Sequence, residues 1–402
     1  MMIAFTFPGQ GSQKPGMGEP WTDHPSWEVI DEASDAAGRD ISALLLTADA
    51  DELRETGNSQ LATYALSMVA LDAVSRVGAE GAGFAGHSLG EYSALTAAGV
   101  LQFEDAVRLV GERGDAMQAA ADERSGTMAA VLGLDDDKVE SACMRVADEV
   151  WVANYNAPGQ VVIAGAPDAI DEASTIAKDL GAKRTMGLPV GGAFHTPFMA
   201  PAQDRLRKAL DQVELVQPEQ PVFANVDGMA HDVVTHWEGL LNSQLCCPVK
   251  WRQSLHSMED AGFTTFVELG PGSVLTSMAK RTLKGSRTLK VNTPADVDAL
   301  LEALAAPPVG GPAHLDGEAL FATERLVVTP CAGVFTPVDD SLIGTVIEAG
   351  HLLGTVGANE VRSPFAGEVM GYLAVNDERV TTSQPVAWLR LVGQSESSRP
   401  KE

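Results

Sequence analysis

The stretch AGFAGHSLGEYSALTAAGV, residues 82–100, decides the fold. It predicts a short buried strand, a tight turn with the pattern Gly-x-Ser-x-Gly, and a helix that Gly99 ends. The two glycines of the turn, Gly86 and Gly90, remove Cβ clashes, so the Ser88 hydroxyl can project from the end of the strand. Ser88 would then lie at a helix N-terminus, where the next amide can stabilise an oxyanion. The pattern therefore fits a nucleophilic serine, and it also fits a glycine-rich turn without chemistry.

The strand-turn-helix pattern recurs along residues 1–305. IAFTF at 3–7 predicts a strand that ends in the turn PGQGS at 8–12, and further strands are predicted at 221–225 and 264–269. Thr293 and Pro294 have the residue types of an N-cap and a first helical position, so they predict the start of a last helix. Alternating strands and helices indicate a mainly parallel sheet that is covered on both faces.

Residues 126–191 differ from the segments on either side. Strands are predicted at 128–134, 151–153 and 160–164, with a helix at 167–180. This order suits a smaller α+β subdomain inserted into the parallel sheet.

Length and charge limit the classes of function. At roughly 150 residues per domain, 402 residues predict two or three domains. The formal net charge of −27 argues against binding to nucleic acids or to anionic membranes. The N-terminus has no basic region before its short apolar run, and no later run approaches the roughly 18 apolar residues that span a bilayer, so a cytoplasmic location is expected.

The cysteines predict neither a disulfide framework nor a metal site. They show no Cys-x-x-Cys or zinc-site spacing, and two of the four are adjacent in sequence. The four are Cys143, Cys246, Cys247 and Cys331.

A nucleophilic serine needs a base, and the chain has eight histidines. His195 follows two glycines and precedes Thr196-Pro197, a turn-to-helix junction that can present an imidazole at the end of a sheet. An ordinary surface or capping histidine fits this context as well. His87 is expected to support the turn rather than act as the base, because neighbouring residues on a tight turn point apart.

Arg113 lies on the apolar side of a predicted helix at 103–120. It follows Val110 by three residues, within a stripe at helical spacing whose other members are Phe103, Ala106, Val107, Gly114 and Met117. An inward arginine without an anion is costly, and its planar fork fits a carboxylate. Its partner is either a structural carboxylate of this acidic chain or the carboxylate of a substrate.

Residues 1–305 closely resemble the malonyl-CoA:acyl-carrier-protein transacylases of fatty-acid synthesis. Seven stretches in the same order carry the resemblance: FPGQGSQ at 7–13, GHSLGEYSAL at 86–95, AVRLVGERGDAMQ at 106–118, NYNAPGQVVIAG at 154–165, GAFHTPFM at 192–199, QLCCPVKW at 244–251 and ELGPGSVLT at 268–276. The resemblance implies an α/β-hydrolase-like core of parallel strands with a ferredoxin-like subdomain at 126–191.

The resemblance also implies the catalytic residues. Ser88 is expected to be the nucleophile and His195 its general base and later general acid. The backbone amides of Gln10 and Leu89 are expected to form the oxyanion hole. The main-chain carbonyl of Gln244 is expected to orient the histidine, a role that a buried carboxylate has in other triads.

Four residues are implied to bind the substrate. Arg113 matches the arginine that grips the free malonyl carboxylate, and His87 and Asn156 fall in matching stretches. Phe194 is typical of members that use malonyl groups, whereas members that use methylmalonyl groups commonly have serine there. The implied chemistry is a ping-pong transfer from malonyl-CoA to the phosphopantetheine thiol of acyl-carrier protein, with no metal and no cofactor.

Acyl-carrier proteins are usually acidic, so a chain of charge −27 would repel one at long range, and local basic residues must overcome this field. Two segments are the densest in basic residues. One contains Lys178, Lys183 and Arg184, and the other contains Lys280, Arg281, Lys284 and Arg287. Either segment is a candidate docking site for the carrier protein.

After a predicted linker at 306–322, residues 323–393 resemble the biotinyl or lipoyl carrier domains. TPCAGVF at 329–335 is repeated as SPFAGEV at 363–369, and a turn between strands is predicted at 356–360. Two similar halves of short strands suggest a small pseudo-symmetric β sandwich. In the carrier family the hairpin tip carries the modified lysine, but the sequence has no lysine between Lys290 and Lys401.

The sequence leaves the role of the lysine-free domain open. It is expected to serve as a docking module for a carboxylase or for self-association, as a regulatory cap or spacer, or to be a remnant. Two alternatives to the transacylase also remain: a serine thioesterase or esterase, and a scaffold that links acyl transfer to a biotin-dependent carboxylase. A thioesterase would place its histidine near the end of the catalytic domain, whereas His195 is followed by about a hundred further residues of the core.

Overall fold

The computed structural model describes residues 2–305, 324–329, 331–338, 342–357, 359–364, 366–376, 378–381 and 384–390. The predicted linker at 306–322 lies outside these residues. The chain divides into two compact units, Met1–Gly311 and Pro312–Glu402. Among the described residues, no helix is both long enough and apolar enough to cross a membrane.

The first unit alternates strands and helices along the chain. Its strands are β1 (Met2–Phe7), β2 (Gly83–Gly86), β3 (Thr127–Leu132), β4 (Val150–Ala157), β5 (Gln160–Gly165), β6 (Arg184–Gly187), β7 (Val222–Phe223), β8 (Ala230–His231), β9 (Phe263–Leu269) and β10 (Arg287–Val291). Its helices are α1 (Glu28–Ala37), α2 (Ile41–Leu46), α3 (Thr56–Arg76), α4 (Gly90–Ala97), α5 (Phe103–Glu123), α6 (Asp136–Arg145), α7 (Pro167–Asp179), α8 (Ala200–Leu210), α9 (Trp237–Gln244), α10 (Trp251–Asp260), α11 (Val274–Thr282) and α12 (Pro294–Ala305).

A six-stranded sheet forms the centre of this unit, in the order β10-β9-β1-β2-β7-β8. The first five strands are parallel and β8 pairs antiparallel with β7. Successive residues of β1 point into two different cores: Phe5 and Phe7 into one, Ala4 into the other. The sheet is therefore buried on both faces, as the alternation of strands and helices predicts.

The smaller subdomain comes between α5 and the last part of the parallel sheet. Its elements follow the order β3-α6-β4-β5-α7-β6, and its antiparallel sheet has the order β4-β5-β3-β6. This is the βαββαβ arrangement of ferredoxin-like folds. Its own core includes Val131, Val161 and Ile163 from the sheet, against Val139 and Ile170 from the helices.

The second unit contains β strands and no α-helix among its described residues. The strands are β11 (Glu324–Val328), β12 (Gly333–Pro337), β13 (Val346–Ile347), β14 (Leu352–Val356), β15 (Asn359–Arg362), β16 (Gly367–Tyr372), β17 (Arg379–Val380) and β18 (Pro385–Arg390). They form two four-stranded antiparallel sheets, β11-β18-β16-β13 and β15-β14-β12-β17. Phe335, Leu353, Val369 and Leu389 belong to its buried core.

The two sheets of the second unit are related by a simple rule. Each strand of the sheet β11-β18-β16-β13 corresponds to the strand that comes four strands later in the chain, with β11 counted as following β18. This replacement gives β15-β14-β12-β17, which is the order of the other sheet. Gly333 and Gly367, which open β12 and β16, belong to the repeated TPCAGVF and SPFAGEV stretches. The pseudo-symmetric pair of halves that the repeats predict is therefore present in the topology. Val356 pairs with Asn359 across the predicted hairpin, and Ala358 of its turn lies outside the described residues.

Candidate active site

The Gly-x-Ser-x-Gly stretch forms a tight turn between β2 and α4. Ser88 has φ = 52°, a left-handed conformation that non-glycine residues rarely adopt. A Cβ on Gly86 would overlap the backbone of Gly90, and a Cβ on Gly90 would overlap the carbonyl of Phe7. The glycines are thus required by close approach of the backbone, and they let the turn present the serine at the carboxyl end of the sheet.

His195 reaches the same point from a distant part of the chain. Its φ is 61°, and within the described part of the chain Ser88 and His195 are the two non-glycine residues with positive φ. Ser88 Oγ lies 2.7 Å from His195 Nε2, and His195 Nδ1 lies 2.8 Å from the carbonyl oxygen of Gln244. Since a carbonyl only accepts, Nδ1 carries the proton, and Nε2 is free to accept one from the serine.

The surroundings of His195 keep its imidazole neutral. The side chain is buried, and the positive charge of Arg113 is nearby. Burial, reinforced by that charge, lowers the pKa of His195 to about 3. At neutral pH the imidazole is thus ready to take the proton from Ser88.

Arg113, on α5, points inward and is 1% exposed. Its Nη1 donates to Gln60 Oε1 at 2.6 Å. Its Nη2 donates to Gln244 Oε1 at 2.9 Å and to Ser88 Oγ at 3.1 Å. Among the described residues no carboxylate is bonded to this guanidinium, although burial disfavours its charge and lowers its pKa. A buried cation therefore lies against the oxygen of the serine.

Two backbone amides lie at the adjoining ends of neighbouring strands. Gln10 follows β1 and Leu89 precedes α4, and β1 pairs in parallel with β2, which leads to Leu89. A Cβ on Gly9 would lie 2.5 Å from the His87 carbonyl oxygen, so the two turns are in close contact. Within the described residues, neither the Gln10 nor the Leu89 amide donates a hydrogen bond to the protein. Both are available to an oxyanion at this position.

A cavity of about 480 Å³ opens over Ser88 and His195. Gln10, Asn156 and Phe194 are among the residues that line it. His87 also lines it, and its Nε2 lies 2.8 Å from Asn156 Oδ1. The structure thus brings the predicted substrate-binding residues His87, Asn156 and Phe194 to the wall of this cavity, whereas Arg113 contacts Ser88 Oγ without lining the cavity.

Three buried polar residues of the site were missed by the sequence analysis. Gln60, on α3, accepts from Arg113. Glu91 is 0% exposed, and burial raises the pKa of its carboxyl to about 8, against the hydrogen bonds it accepts and the charge of Arg113. Asn225, after β7, accepts from the backbone N–H of Ser88 at 2.7 Å and donates to the Gly86 carbonyl at 2.7 Å. Glu91 lies inside the quoted GHSLGEYSAL stretch, but residues 90–95 of α4 are all buried, so helical periodicity gives no signal for it.

A second cavity, of about 580 Å³, adjoins the first, and Asn156, Val162 and Leu188 line both. Lys183 and Arg281 line the second cavity, and Arg281 Nη1 donates to Gln160 Oε1 at 2.7 Å. These two basic residues come from the two separate basic segments that are the alternative candidates for carrier docking. The fold brings both segments to one groove beside the active site.

The parallel sheet is covered on both faces, and its carboxyl edge carries a strained serine, a neutral histidine and two open amides. This combination defines the class of α/β acyltransferases. Residues 4–299 match the family model described as Acyl transferase domain. The chain belongs to this family, which covers nearly all of the first unit. The model ends before the second unit begins.

Relatives named malonyl CoA-acyl carrier protein transacylase match the same part of the chain. The Bacillus subtilis protein is 39% identical over 310 residues, which cover 75% of this chain and 97% of that protein. The Escherichia coli K12 protein is 41% identical over 305 residues, with 75% and 99% covered.

Solved structures agree with this assignment. The Coxiella burnetii malonyl CoA-acyl carrier protein transacylase is 35% identical, with a TM-score of 0.74, and 76% of this chain and 98% of that chain are covered. A malonyl-transacylase solved in complex with a type II polyketide-synthase acyl-carrier protein is 38% identical, with a TM-score of 0.73 and 75% and 100% covered. These neighbours show an α/β acyltransferase fold for the first unit, in agreement with the α/β class that the sequence predicts.

Proposed function

We propose that this chain transfers the malonyl group of malonyl-CoA to the phosphopantetheine thiol of acyl-carrier protein, in fatty-acid synthesis. The identity of about 40% to relatives of that name supports the activity. The observation that carries it in this chain is the buried Arg113 guanidinium, 3.1 Å from Ser88 Oγ. A cation at this place favours an acyl group that itself bears a carboxylate.

In the first half-reaction Ser88 is the nucleophile. His195 Nε2 takes the hydroxyl proton as Oγ attacks the thioester carbonyl, and the N–H groups of Gln10 and Leu89 stabilise the oxyanion. The C–S bond then breaks, and coenzyme A leaves with the proton from His195. The Gln244 carbonyl holds the imidazole in the tautomer that this step needs.

The second half-reaction reverses these roles. His195 takes the proton of the pantetheine thiol, whose sulfur attacks the malonyl-serine ester. The C–O bond breaks, and Ser88 Oγ recovers the proton from His195. A neutral serine–histidine pair suits this exchange because a thiolate is a good leaving group.

The free carboxylate of the malonyl group is proposed to bind Arg113. It would replace the present Nη2 contact to Ser88 Oγ and form an ion pair that no described residue provides to this buried guanidinium. The hydrogen-bonded pair of His87 and Asn156 and the ring of Phe194 would enclose the rest of the acyl group.

Intact-protein mass spectrometry tests the activity. Brief exposure to malonyl-CoA is expected to add one malonyl group to the wild type and none to Ser88→Ala, and added holo acyl-carrier protein is expected to remove it. Release of free malonate rather than malonylated carrier would indicate a thioesterase. The absence of any adduct, with no coenzyme A released in the complete assay, would refute the proposal.

The groove of Lys183 and Arg281 is the proposed docking site for the carrier protein. It continues from the active-site cavity, so a pantetheine arm that reaches Ser88 would leave its acidic carrier over these two cations. The neighbouring exposed residues Lys280 and Lys284 add to the positive charge. The solved complex of a 38% identical malonyl-transacylase with a type II polyketide-synthase acyl-carrier protein supports the binding of a carrier protein by this fold.

Charge reversal tests the docking site. Lys183→Glu combined with Arg281→Glu is expected to raise the carrier-protein KM and to leave the rate of malonyl loading from malonyl-CoA within about twofold, since loading needs no carrier. Lys138→Glu, which also reverses an exposed lysine but on α6, is a matched control. A carrier KM unchanged in the double variant would contradict the assignment.

The second unit is proposed to be a biotinyl- or lipoyl-like β domain that carries no prosthetic group and acts as a docking module. Its four-strand internal symmetry and the β14–β15 hairpin support the likeness. The missing lysine removes the amide link that a carrier domain needs. A carboxylase subunit or a second copy of this unit is the proposed partner.

Truncation and binding test this role. Deletion of residues 307–402 is expected to leave malonyl loading and transfer largely intact, because every proposed catalytic residue lies in the first unit. Loss of the chemical step in a folded truncation would contradict the assignment. Full-length chain that stays monomeric and retains no carboxylase subunit in a pull-down would remove the docking proposal.

A further inference from the structure

Glu91 is a buried carboxyl group that the proposed mechanism does not use. It lies on the first turn of α4, three residues after Ser88, and is 0% exposed. Its Oε1 accepts from the backbone N–H of Asn225 at 2.6 Å, and its Oε2 accepts from Gln244 Nε2 at 2.6 Å. Both oxygens thus serve as acceptors, and the residues they hold are 134 and 153 positions away in sequence.

The two residues that Glu91 holds both bind the backbone of Ser88. The side-chain oxygen of Asn225 accepts from the Ser88 N–H at 2.7 Å. The Gln244 side-chain nitrogen donates to the Ser88 carbonyl at 2.8 Å. One carboxylate therefore supports hydrogen bonds on both sides of a residue whose φ is strained.

Glu91 also fixes the direction of the Gln244 amide. The nitrogen of this amide faces two acceptors, Glu91 Oε2 and the Ser88 carbonyl, and its oxygen accepts from Arg113 Nη2 at 2.9 Å. If the amide were reversed, its oxygen would face two oxygens and its NH₂ group would face the guanidinium. The carboxylate, together with the Ser88 carbonyl, therefore orients the amide so that its oxygen accepts from Arg113.

We propose that Glu91 is a positioning residue for substrate selection: through the Gln244 side chain it aims the Arg113 guanidinium at Ser88. This inference rests on the proposed function, since it assigns Arg113 the malonyl carboxylate. Arg113 Nη2 is held between Gln244 Oε1 and Ser88 Oγ, so its direction depends on where that amide oxygen lies. Loss of the Glu91 acceptor should thus weaken binding of a carboxylated acyl group more than binding of an acyl group without one.

The test compares malonyl-CoA with acetyl-CoA as donors to Glu91→Gln, at a pH above the wild-type Glu91 pKa of about 8, where this carboxyl is ionised. Glutamine has the same shape but places an NH₂ group against either the Asn225 N–H or the Gln244 NH₂, so one hydrogen bond is replaced by two opposed donors. The ratio of the loading kcat/KM for malonyl to that for acetyl is expected to fall by about tenfold or more, because the affected bond involves a charged group. A merely structural role would slow both donors by the same factor.

Glu268→Gln is the matched control. Glu268 is a buried carboxyl on β9 whose oxygens accept from the Leu275 N–H and from the N–H and hydroxyl of Thr276. It supports a helix N-terminus without contacting Ser88, Gln244 or Arg113, so its variant is expected to keep the malonyl-to-acetyl ratio of the wild type.

Gln244→Met keeps the proposal testable if Glu91→Gln does not fold. This variant retains the main-chain carbonyl for His195 but removes the side-chain amide, and the same loss of the ratio is expected. A ratio unchanged from the wild type in a folded variant of either kind would overturn the inference. A wild type that loads malonyl no faster than acetyl would instead refute the proposed function, so the two failures are distinguishable.

Discussion

Replacement of Arg113 by alanine should cost the enzyme its preference for malonyl groups. The guanidinium is 1% exposed, so solvent screens its pairing with a carboxylate very little. Removing one partner of a buried ion pair costs about 3–5 kcal/mol, which corresponds to a loss of roughly 150- to 5,000-fold in kcat/KM. The acetyl group of acetyl-CoA has no free carboxylate that could pair with Arg113, so the rate of acetyl loading should change by less than about tenfold.

The assay is rapid-quench loading followed by intact mass spectrometry, with each donor supplied separately. Arg113→Ala leaves the Gln60 and Gln244 side-chain oxygens without their donor, so a thermal unfolding curve must show that the variant is folded. Arg108→Ala is the control, because Arg108 is on the same helix but its side chain is 59% exposed and pairs with Asp105. Its loading rates should stay within about twofold of the wild type.

An equal loss for malonyl and acetyl would refute the reasoning. It would mean that Arg113 serves Ser88, to whose oxygen it donates, rather than the substrate carboxylate. Faster acetyl loading with slow malonyl loading would be the strongest support, since it would reverse the selectivity with the nucleophile intact.

Three further predictions concern the strained turn and the buried histidine. Ser88→Gly should abolish loading yet be about 1 kcal/mol more stable than Ser88→Ala, because glycine tolerates a φ of 52°; equal urea midpoints would contradict this. Gly86→Ala should unfold at much lower temperature or not fold, since its Cβ overlaps the Gly90 backbone, and a wild-type melting curve would exclude that overlap. The pKa of His195 is about 3 in the native chain and about 6.5 when unfolded, so the unfolded chain binds the extra proton between these values. The free energy of unfolding should therefore fall with falling pH below 6.5, by up to about 1.4 kcal/mol per pH unit from this residue, and urea titrations of His195→Asn should show a shallower dependence than the wild type.

Much of the first unit follows from local sequence. The glycines at 86 and 90 identify the turn because a Cβ at either position would overlap backbone atoms. This constraint acts on the local backbone, so a short stretch of sequence is enough to recognise it. Arg113 is recognisable as an inward cation because helical periodicity assigns each residue to a face. Periodicity does not identify the residues or the ligand that Arg113 contacts on that face.

The polar partners of the site could not be derived in this way. Gln60 meets Arg113 across 53 positions, and Glu91 meets Asn225 across 134. Such pairs depend on how helices and strands pack, and a buried glutamine or glutamate has no sequence pattern that distinguishes it from an exposed one. For the same reason, the sequence could not show that Lys183 and Arg281 line one groove in the folded protein.

The strand order of the second unit has a consequence for its biosynthesis. β18 is the last strand along the described residues of the unit, yet it lies between β11 and β16 in its sheet. β11 therefore lacks its neighbour until β18 has been synthesised, so this sheet cannot be completed before residues 385–390 have left the ribosome. The acyltransferase unit, which is synthesised earlier, has no such dependence on the second unit's strands. We expect a nascent chain to acquire a folded acyltransferase first, with the β unit folding in a single late step that a few missing residues at β18 would prevent.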